Sequence, residues 1–341
     1  MKKPLDVSVL ATPDAEPGVI FGIYDALWAA GLLWNRVMGE PENPVFAPHI
    51  IGETAEPLET ATGTLLQPHR SIAEGTPTDI VFIPSLLADF DLVFAERNRQ
   101  LIDWLLSIYD AGTHIVSSCT GSFVLAASGL LDGREATTHW AFVDKMKTDY
   151  PAINVRGDRI LVAADDEARI VTAGGASSWT DLVLYLAGRF GSPEDARHLA
   201  KMSLFDWHHG GQNPYARLTT GRHASDAVIA DLQTWLAEHY AGTEVVAAMS
   251  ARSGLSAKTL ARRFRAATGY TPLDYVQTLR IEEAKQLLET TDTAVEAVAE
   301  AVGYQDASSF VRLFKRRVGD TPAAYRRRVA MPEFIADIGQ G

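Results

Sequence analysis

With 341 residues, 47% hydrophobic and 22% charged, the chain has ordinary globular composition and enough material for two cores. No apolar run approaches the roughly 20 residues a membrane helix needs, and Pro4, Asp6, Pro13 and Asp14 interrupt any secretory leader. The single cysteine, Cys119, excludes an internal disulfide framework and fits a reducing cytoplasm; the net charge of −12 argues against nucleic acid only until its distribution is read.

In chain order, Val7–Ala11, Asp79–Ser85, Ile115–Cys119 and Ile170–Ala173 read as buried strands, and Gly22–Leu33, Arg97–Asp110, Gly121–Ser128 and Ser177–Arg189 as helices. Strands alternating with helices predict an α/β, flavodoxin-like sandwich around a mainly parallel sheet. The thiol of Cys119 falls at a strand-to-helix elbow, where a helix N-terminus is expected to lower its pKa and expose it. His139 and Trp140 follow in the run Thr137-Thr138-His139-Trp140, and Gly174-Gly175 after a strand leaves the backbone open to a ligand or makes a turn. His198, His208 and His209 lack ligand spacing, so no metal is expected, and no dinucleotide or phosphate-loop fingerprint calls for a cofactor.

The stretch His208 to Pro214 is rich in structure breakers. The expected boundaries are a domain at 1–210, a linker at 211–224, an all-α domain at 225–330 and a tail at 331–341.

Charge changes across that boundary. Residues 1–221 hold 16 Lys/Arg against 28 Asp/Glu, whereas 222–341 hold 15 of each, clustered in two basic stripes at Arg252–Arg265 and Arg312–Arg328. Such stripes can bind DNA locally on an acidic protein. They belong to a repeat. A shift of 50 residues superimposes Leu260 on Phe310, Arg262 on Arg312, Phe264 on Phe314, Gly269 on Gly319, Pro272 on Pro322 and Tyr275 on Tyr325.

Each copy carries a helix-turn-helix signature. In the first, Val245–Ser253 ends at Gly254, and Ser256 caps Ala257–Thr268. In the second, Thr293 and Glu296 predict a capping box for a helix to Val302, Gly303 ends it, and Asp306 caps Ala307–Val318. Leu260 with Phe264, and Phe310 with Phe314, should face the core, which turns Lys258 and Arg262, and Ser308 and Arg312, outward. A helix from Pro272 to about Leu288 joins the copies and sets two recognition helices for successive major grooves, about 34 Å apart.

Residues 225–328 closely resemble the AraC/XylS family, through Gly254-Leu255-Ser256, Leu260 to Phe264, Gly269 to Pro272, Tyr275, Arg280, Gly303-Tyr304, Phe310, Phe314-Lys315 and Gly319 to Arg326. The resemblance implies base contacts by Lys258, Arg262, Ser308, Ser309 and Arg312. Ser256, Thr259, Arg263, Lys315 and Arg316 complete the expected DNA-binding set, with Ala261 and Val311 at outer apolar positions.

Residues 5–195, most strongly 115–140, resemble the ThiJ/PfpI branch of the class I glutamine amidotransferase-like superfamily. The match runs through Cys119-Thr120-Gly121, Gly129 to Gly133 and Ala136 to Trp140, and is of the kind fused to AraC-type domains in GlxA-type regulators. Enzymes of that superfamily place a glutamate beside the cysteine. Here the matching position is Val19, with Glu16 before it and Asp25 beyond, a departure that speaks against hydrolase or deglycase chemistry. The resemblance implies a domain that binds a small-molecule effector at Cys119, Thr120, His139, Trp140, Gly174 and Gly175. It also implies homodimerisation through that domain, binding to double-stranded operator DNA, and contact with RNA polymerase as an activator. Redox sensing through Cys119 and surviving thiol catalysis remain as alternatives.

Overall fold

The structure is a computed structural model that describes residues 3–91, 93–216 and 226–330. It divides into two compact units, Met1–Gln212 and Asn213–Gly341.

Among the described residues, the sheet of the first unit has seven strands. They are β1 (Leu5–Leu10), β2 (Phe46–Gly52), β3 (Arg70–Ser71), β4 (Ile80–Ile83), β5 (His114–Ser118), β6 (Leu161–Ala163) and β7 (Ile170–Ala173). The spatial order is β6-β7-β5-β4-β1-β2-β3, parallel throughout except where β6 runs antiparallel to β7. The strands β4 and β7 are buried at every position, as strands covered on both faces must be. The covering helices include α1 (Pro17–Ala29), α2 (Arg99–Asp110), α3 (Ser122–Ala127), α4 (Trp179–Leu186) and α5 (Pro193–Ser203). Pro17 opens α1 at a position where its missing N–H costs nothing. On α2, Leu101, Ile102 and Leu105 form the buried face.

The chain proceeds outward from β1 to β2 and β3, then returns to β4 and builds the other way. The order reverses between β1 and β4, and in open parallel sheets the crevice at the carboxyl ends of the strands beside such a reversal holds ligands. Two readings are corrected here. Strand β2 was not anticipated. The breaker-rich stretch is not wholly a linker either: Gly211 and Gln212 belong to the first unit, and Gln212 is 1% exposed. Residues 217–224 of the expected linker and the tail 331–341 lie outside the described residues.

The second unit contains α6 (Ala227–His239), α7 (Val245–Ser253), α8 (Ala257–Thr268), α9 (Pro272–Thr290), α10 (Val295–Ala301), α11 (Ala307–Val318) and α12 (Pro322–Val329). It has two apolar clusters. Ile229, Leu232, Leu236, Met249, Leu260 and Phe264 fill one with Tyr275 and Val276 of α9; Val298, Phe310, Phe314 and Tyr325 fill the other with Ile281, Ala284 and Leu288 of the same helix. Between these two sets on α9, Arg280 donates to the carbonyls of Tyr240, Gly242 and Gly303. One helix thus serves both cores, and its Arg280 ties down the turns on either side.

The capping box expected at Thr293 and Glu296 does not form. The N-cap of α10 is Ala294, without a side-chain hydrogen bond, and the N–H of Thr293 is taken by Thr291 Oγ1. Among the described residues, no helix is long and apolar enough to cross a membrane.

Candidate ligand site and nucleic-acid interface

At the carboxyl end of β5 the chain turns sharply, with Cys119 at φ +55, outside the ordinary range for a residue with a side chain. The turn is held by Thr120, whose hydroxyl donates to the Leu86 carbonyl (2.6 Å) and accepts from the Leu86 N–H (2.9 Å). Thr120, a candidate for ligand contact, therefore serves the fold of the elbow. Cys119 is 7% exposed, and burial pushes its thiol up to about 11. This reverses the expectation of an exposed, acidified thiol. A short turn of helix begins at Cys119 before α3, and hydrogen bonding by the Thr120 backbone and side chain, which favours the thiolate, is outweighed by loss of solvent.

The acid that position 19 lacks is supplied by Glu16. Glu16 stands immediately before α1, and its carboxylate accepts from the Ser85 hydroxyl at the end of β4. Its charge contributes, after burial, to holding the Cys119 proton. Position Val19, reached by counting along the helix, was the wrong match; the group enters from the N-cap. Glu16, Ser85 and Cys119 thus come from the carboxyl ends of β1, β4 and β5, at the reversal of strand order. The hydroxyls of Thr12, Ser117 and Ser118 are also buried there, without hydrogen-bond partners among the described residues.

His139 does not pair with the thiol. Its Nδ1 accepts from the Ala141 N–H at 3.2 Å and caps the turn that follows, its ring packs on Trp140 and Phe142, and burial lowers its pKa. Among the described residues no hydrogen bond joins it to Cys119. The link between the two segments is Thr138, whose hydroxyl donates to the Cys119 carbonyl at 3.2 Å. Gly174 and Gly175 leave space for a close approach, but the group that approaches is the chain's own Gln212. A Cβ on Gly174 would stand 2.2 Å from the Gln212 carboxamide, and the Gly175 N–H donates to its Oε1 at 2.7 Å. Gln212 also accepts from the Trp140 N–H at 2.9 Å.

A cavity of about 850 Å³ borders Lys3, Asp6, Thr78, Trp104, His114 and Phe190, at the amino ends of β1, β4 and β5. It lies at the opposite end of these strands from Glu16 and Cys119, and the nucleophilic thiol is at the reversal point.

In the second unit, α8 and α11 begin at side-chain caps. Ser256 accepts from the Thr259 N–H, and Asp306 from the N–H groups of Ser308 and Ser309. Their inner faces bury Leu260, Phe264, Phe310 and Phe314 completely. Lys258, Arg262, Ser308, Arg312, Lys315 and Arg316 are exposed, while Ala261, Thr259, Ser309 and Val311 are half-buried beside them. Among the described residues, Lys258, Arg262, Lys315 and Arg316 make no ion pair. Arg312 is 73% exposed and donates to Ser309 Oγ at 2.9 Å, with Asp306 3.9 Å away.

Arg263 is a correction. Its Nε and Nη2 grip the two carboxylate oxygens of Asp226, the N-cap of α6, at 2.8 and 2.6 Å, so it fastens one helix to another. Within the two stripes, Arg252 holds Asp231 through two nitrogens in the same manner, while Arg317 pairs with Asp274 and Arg328 with Asp320 through one nitrogen each.

Residues 249–328 match a helix-turn-helix domain family, and residues 42–187 the DJ-1/PfpI family. The HTH-type transcriptional regulator CdhR of Pseudomonas aeruginosa is 26% identical over 279 residues, 82% of this chain and 81% of the relative. The HTH-type transcriptional regulator GlxA of Rhizobium meliloti is 31% identical over 228 residues, 64% of this chain and 66% of the relative. The chain belongs to the GlxA-type regulators of the AraC family. This regulator binds DNA through its second unit and carries a DJ-1/PfpI domain as its first. The isonitrile hydratase of Pseudomonas putida is 32% identical over 139 residues, 41% of this chain and 57% of the relative. The first unit is thus kin to an enzyme as well as to regulators.

Proposed function

We propose that this regulator is a cytoplasmic transcriptional activator controlled by a small molecule bound in its first unit, and that it is not an enzyme. The observation that carries the reading is the reversal point of the sheet. There Glu16, Ser85 and Cys119 converge with buried, unpartnered hydroxyls on Thr12 and Ser118. A polar group buried without a partner costs roughly 1–3 kcal/mol, so these atoms favour a small polar ligand that completes them. Binding that differs between two states of the protein would shift the population competent for DNA. Homodimerisation through the first unit is supported by α1, which leaves Phe21 and Trp28 exposed, and RNA polymerase is the expected further partner.

A thermal-shift screen of small metabolites on the full chain, followed by a reporter assay of each hit, tests the reading. Cys119→Ser should retain effector-dependent regulation and Cys119→Trp should abolish it with DNA binding intact. Loss of regulation in a folded Cys119→Ser protein counts against a site used for binding alone.

A second reading, thiol chemistry at Cys119, is favoured by the strained strand-to-helix elbow that carries the sulfur, at φ +55. It is separated by alkylation with iodoacetamide, scored by mass. A thiol held at about 11 reacts slowly near neutrality and faster as pH rises toward that value, because the thiolate is the nucleophile. Fast alkylation independent of pH above neutrality favours the thiol reading.

A further inference from the structure

Among the described residues outside the reversal point, the most completely bonded side chain is Gln212, where the first unit ends. Its Oε1 accepts from two backbone N–H groups, those of Trp140 and Gly175. Its Nε2 faces the Thr138 carbonyl at 2.9 Å, the Arg159 carbonyl at 3.0 Å, Thr137 Oγ1 at 3.1 Å and the Gly157 carbonyl at 3.3 Å. Both acceptor sites and both donor hydrogens of the carboxamide are used. The backbone joins in, with the Gln212 N–H donating to the Asp158 carbonyl and, four residues earlier, the His208 N–H to the buried Asp181 carboxylate at 2.9 Å.

The walls of this slot dictate what it can hold. Two N–H groups on one side demand an acceptor, and a cluster of oxygens on the other demands a donor. A carboxylate would set its second oxygen against the carbonyls of 138, 157 and 159, and an amine would oppose the N–H groups of 140 and 175. A primary carboxamide satisfies both sides, and Gly174 admits it because any side chain there would overlap it. The slot also adjoins the elbow, since Thr138 donates to the Cys119 carbonyl while its own carbonyl accepts from Gln212.

We propose that residues 137–140, 157–159 and 174–175 form a primary-carboxamide receptor that the chain's own Gln212 occupies, and that this occupancy is a releasable latch. Ligand binding beside Cys119 moves Thr138 and frees Gln212, the last residue of the first unit. The latch rests on the effector reading above; the receptor does not.

The test uses the full chain. Gln212→Ala removes the part of the side chain that acetamide supplies. Gln212→Ala should melt lower than the wild type, and tens of millimolar acetamide should raise its melting temperature saturably. Acetate should leave it unmoved, and acetamide should leave the wild type unmoved. Equal responses of the two proteins, or of the variant to the two compounds, would overturn the receptor. Should Gln212→Ala not fold, exchange of the Gln212 side-chain amide protons decides, read by nitrogen-15 NMR in the wild type: protection relative to the exposed Gln286 supports the slot, and exchange at the Gln286 rate overturns it. For the latch, operator affinity of Gln212→Ala should differ from wild type by roughly fivefold or more and return with acetamide. An unchanged affinity removes the latch and leaves the receptor standing. A wild type whose DNA binding ignores every effector removes the effector reading instead.

Discussion

The two helix-turn-helix units share a 50-residue repeat and the same apolar skeleton, yet their outward faces are wired differently. On α8 the cap is the neutral Ser256, and Lys258 and Arg262 extend without an ion-pair partner among the described residues. On α11 the cap is the ionised Asp306, position 308 is a serine, and Arg312 leans on Ser309 within reach of the capping acid. Hydrogen bonds from Ser309 and the N–H groups of 308 and 309 hold Asp306 below the usual carboxylate range. The difference teaches that repeated folds need not read DNA alike. The first helix-turn-helix presents cations unpaired among the described residues, of the kind suited to phosphates and guanine, while the second presents an arginine already oriented beside a negative charge.

The largest effects expected are those of Arg262→Ala and Arg312→Ala, about 1–3 kcal/mol each on specific operator binding. Footprints of the two variants should weaken at separate patches one helical turn apart; loss at the same base pairs would erase the distinction between the units. Arg263→Ala is the control. It should lower the melting temperature through loss of the Asp226 clamp while leaving the footprint pattern unaltered.

Next in size is the cap. Ser256→Ala should cost about 1 kcal/mol of domain stability in a denaturant titration. Asp306→Asn keeps a capping side chain and removes the charge, so it should leave the melting temperature nearly unchanged and tighten DNA binding a few-fold at low salt. Weaker binding would mean that the charge orients Arg312 more than it repels phosphate. The smallest effect sought is a slope: Lys258→Ala should reduce the salt dependence of binding by about one unit, and Ser308→Ala should not.

What the sequence disclosed follows from where the forces act. The ends of α7, α8 and α11 were legible because caps and glycine exits are local, within a few residues of the helix they terminate. The role of Arg263 was not, since its partner lies 37 residues away. Strand β2 was hidden by Pro48, which reads as a breaker. It is tolerated because β3 pairs only with Ile51 and Gly52, leaving the Pro48 end of the strand without a neighbour on that side. At the ligand site the elbow itself was legible from Cys119 in its strand-to-helix context. Its burial was not, because Thr120 grips Leu86 and the acid enters from the residue before α1. Gln212 was hidden by its own neighbours, since a run of His, Gly, Asn and Pro has the composition of a linker whether or not one member is buried.

Helix α9 has a consequence for the operator. Because it lends residues to both apolar clusters and anchors turns through Arg280, the two reading heads move as one body. Once the first head is seated, the second searches no volume; its effective concentration at its own half-site is fixed by the helix, with no slack to adjust. Such a ligand is unforgiving of rotational phase. Inserting about half a helical turn of DNA between the half-sites should leave only the affinity of a single head, because the second would meet the opposite side of the duplex.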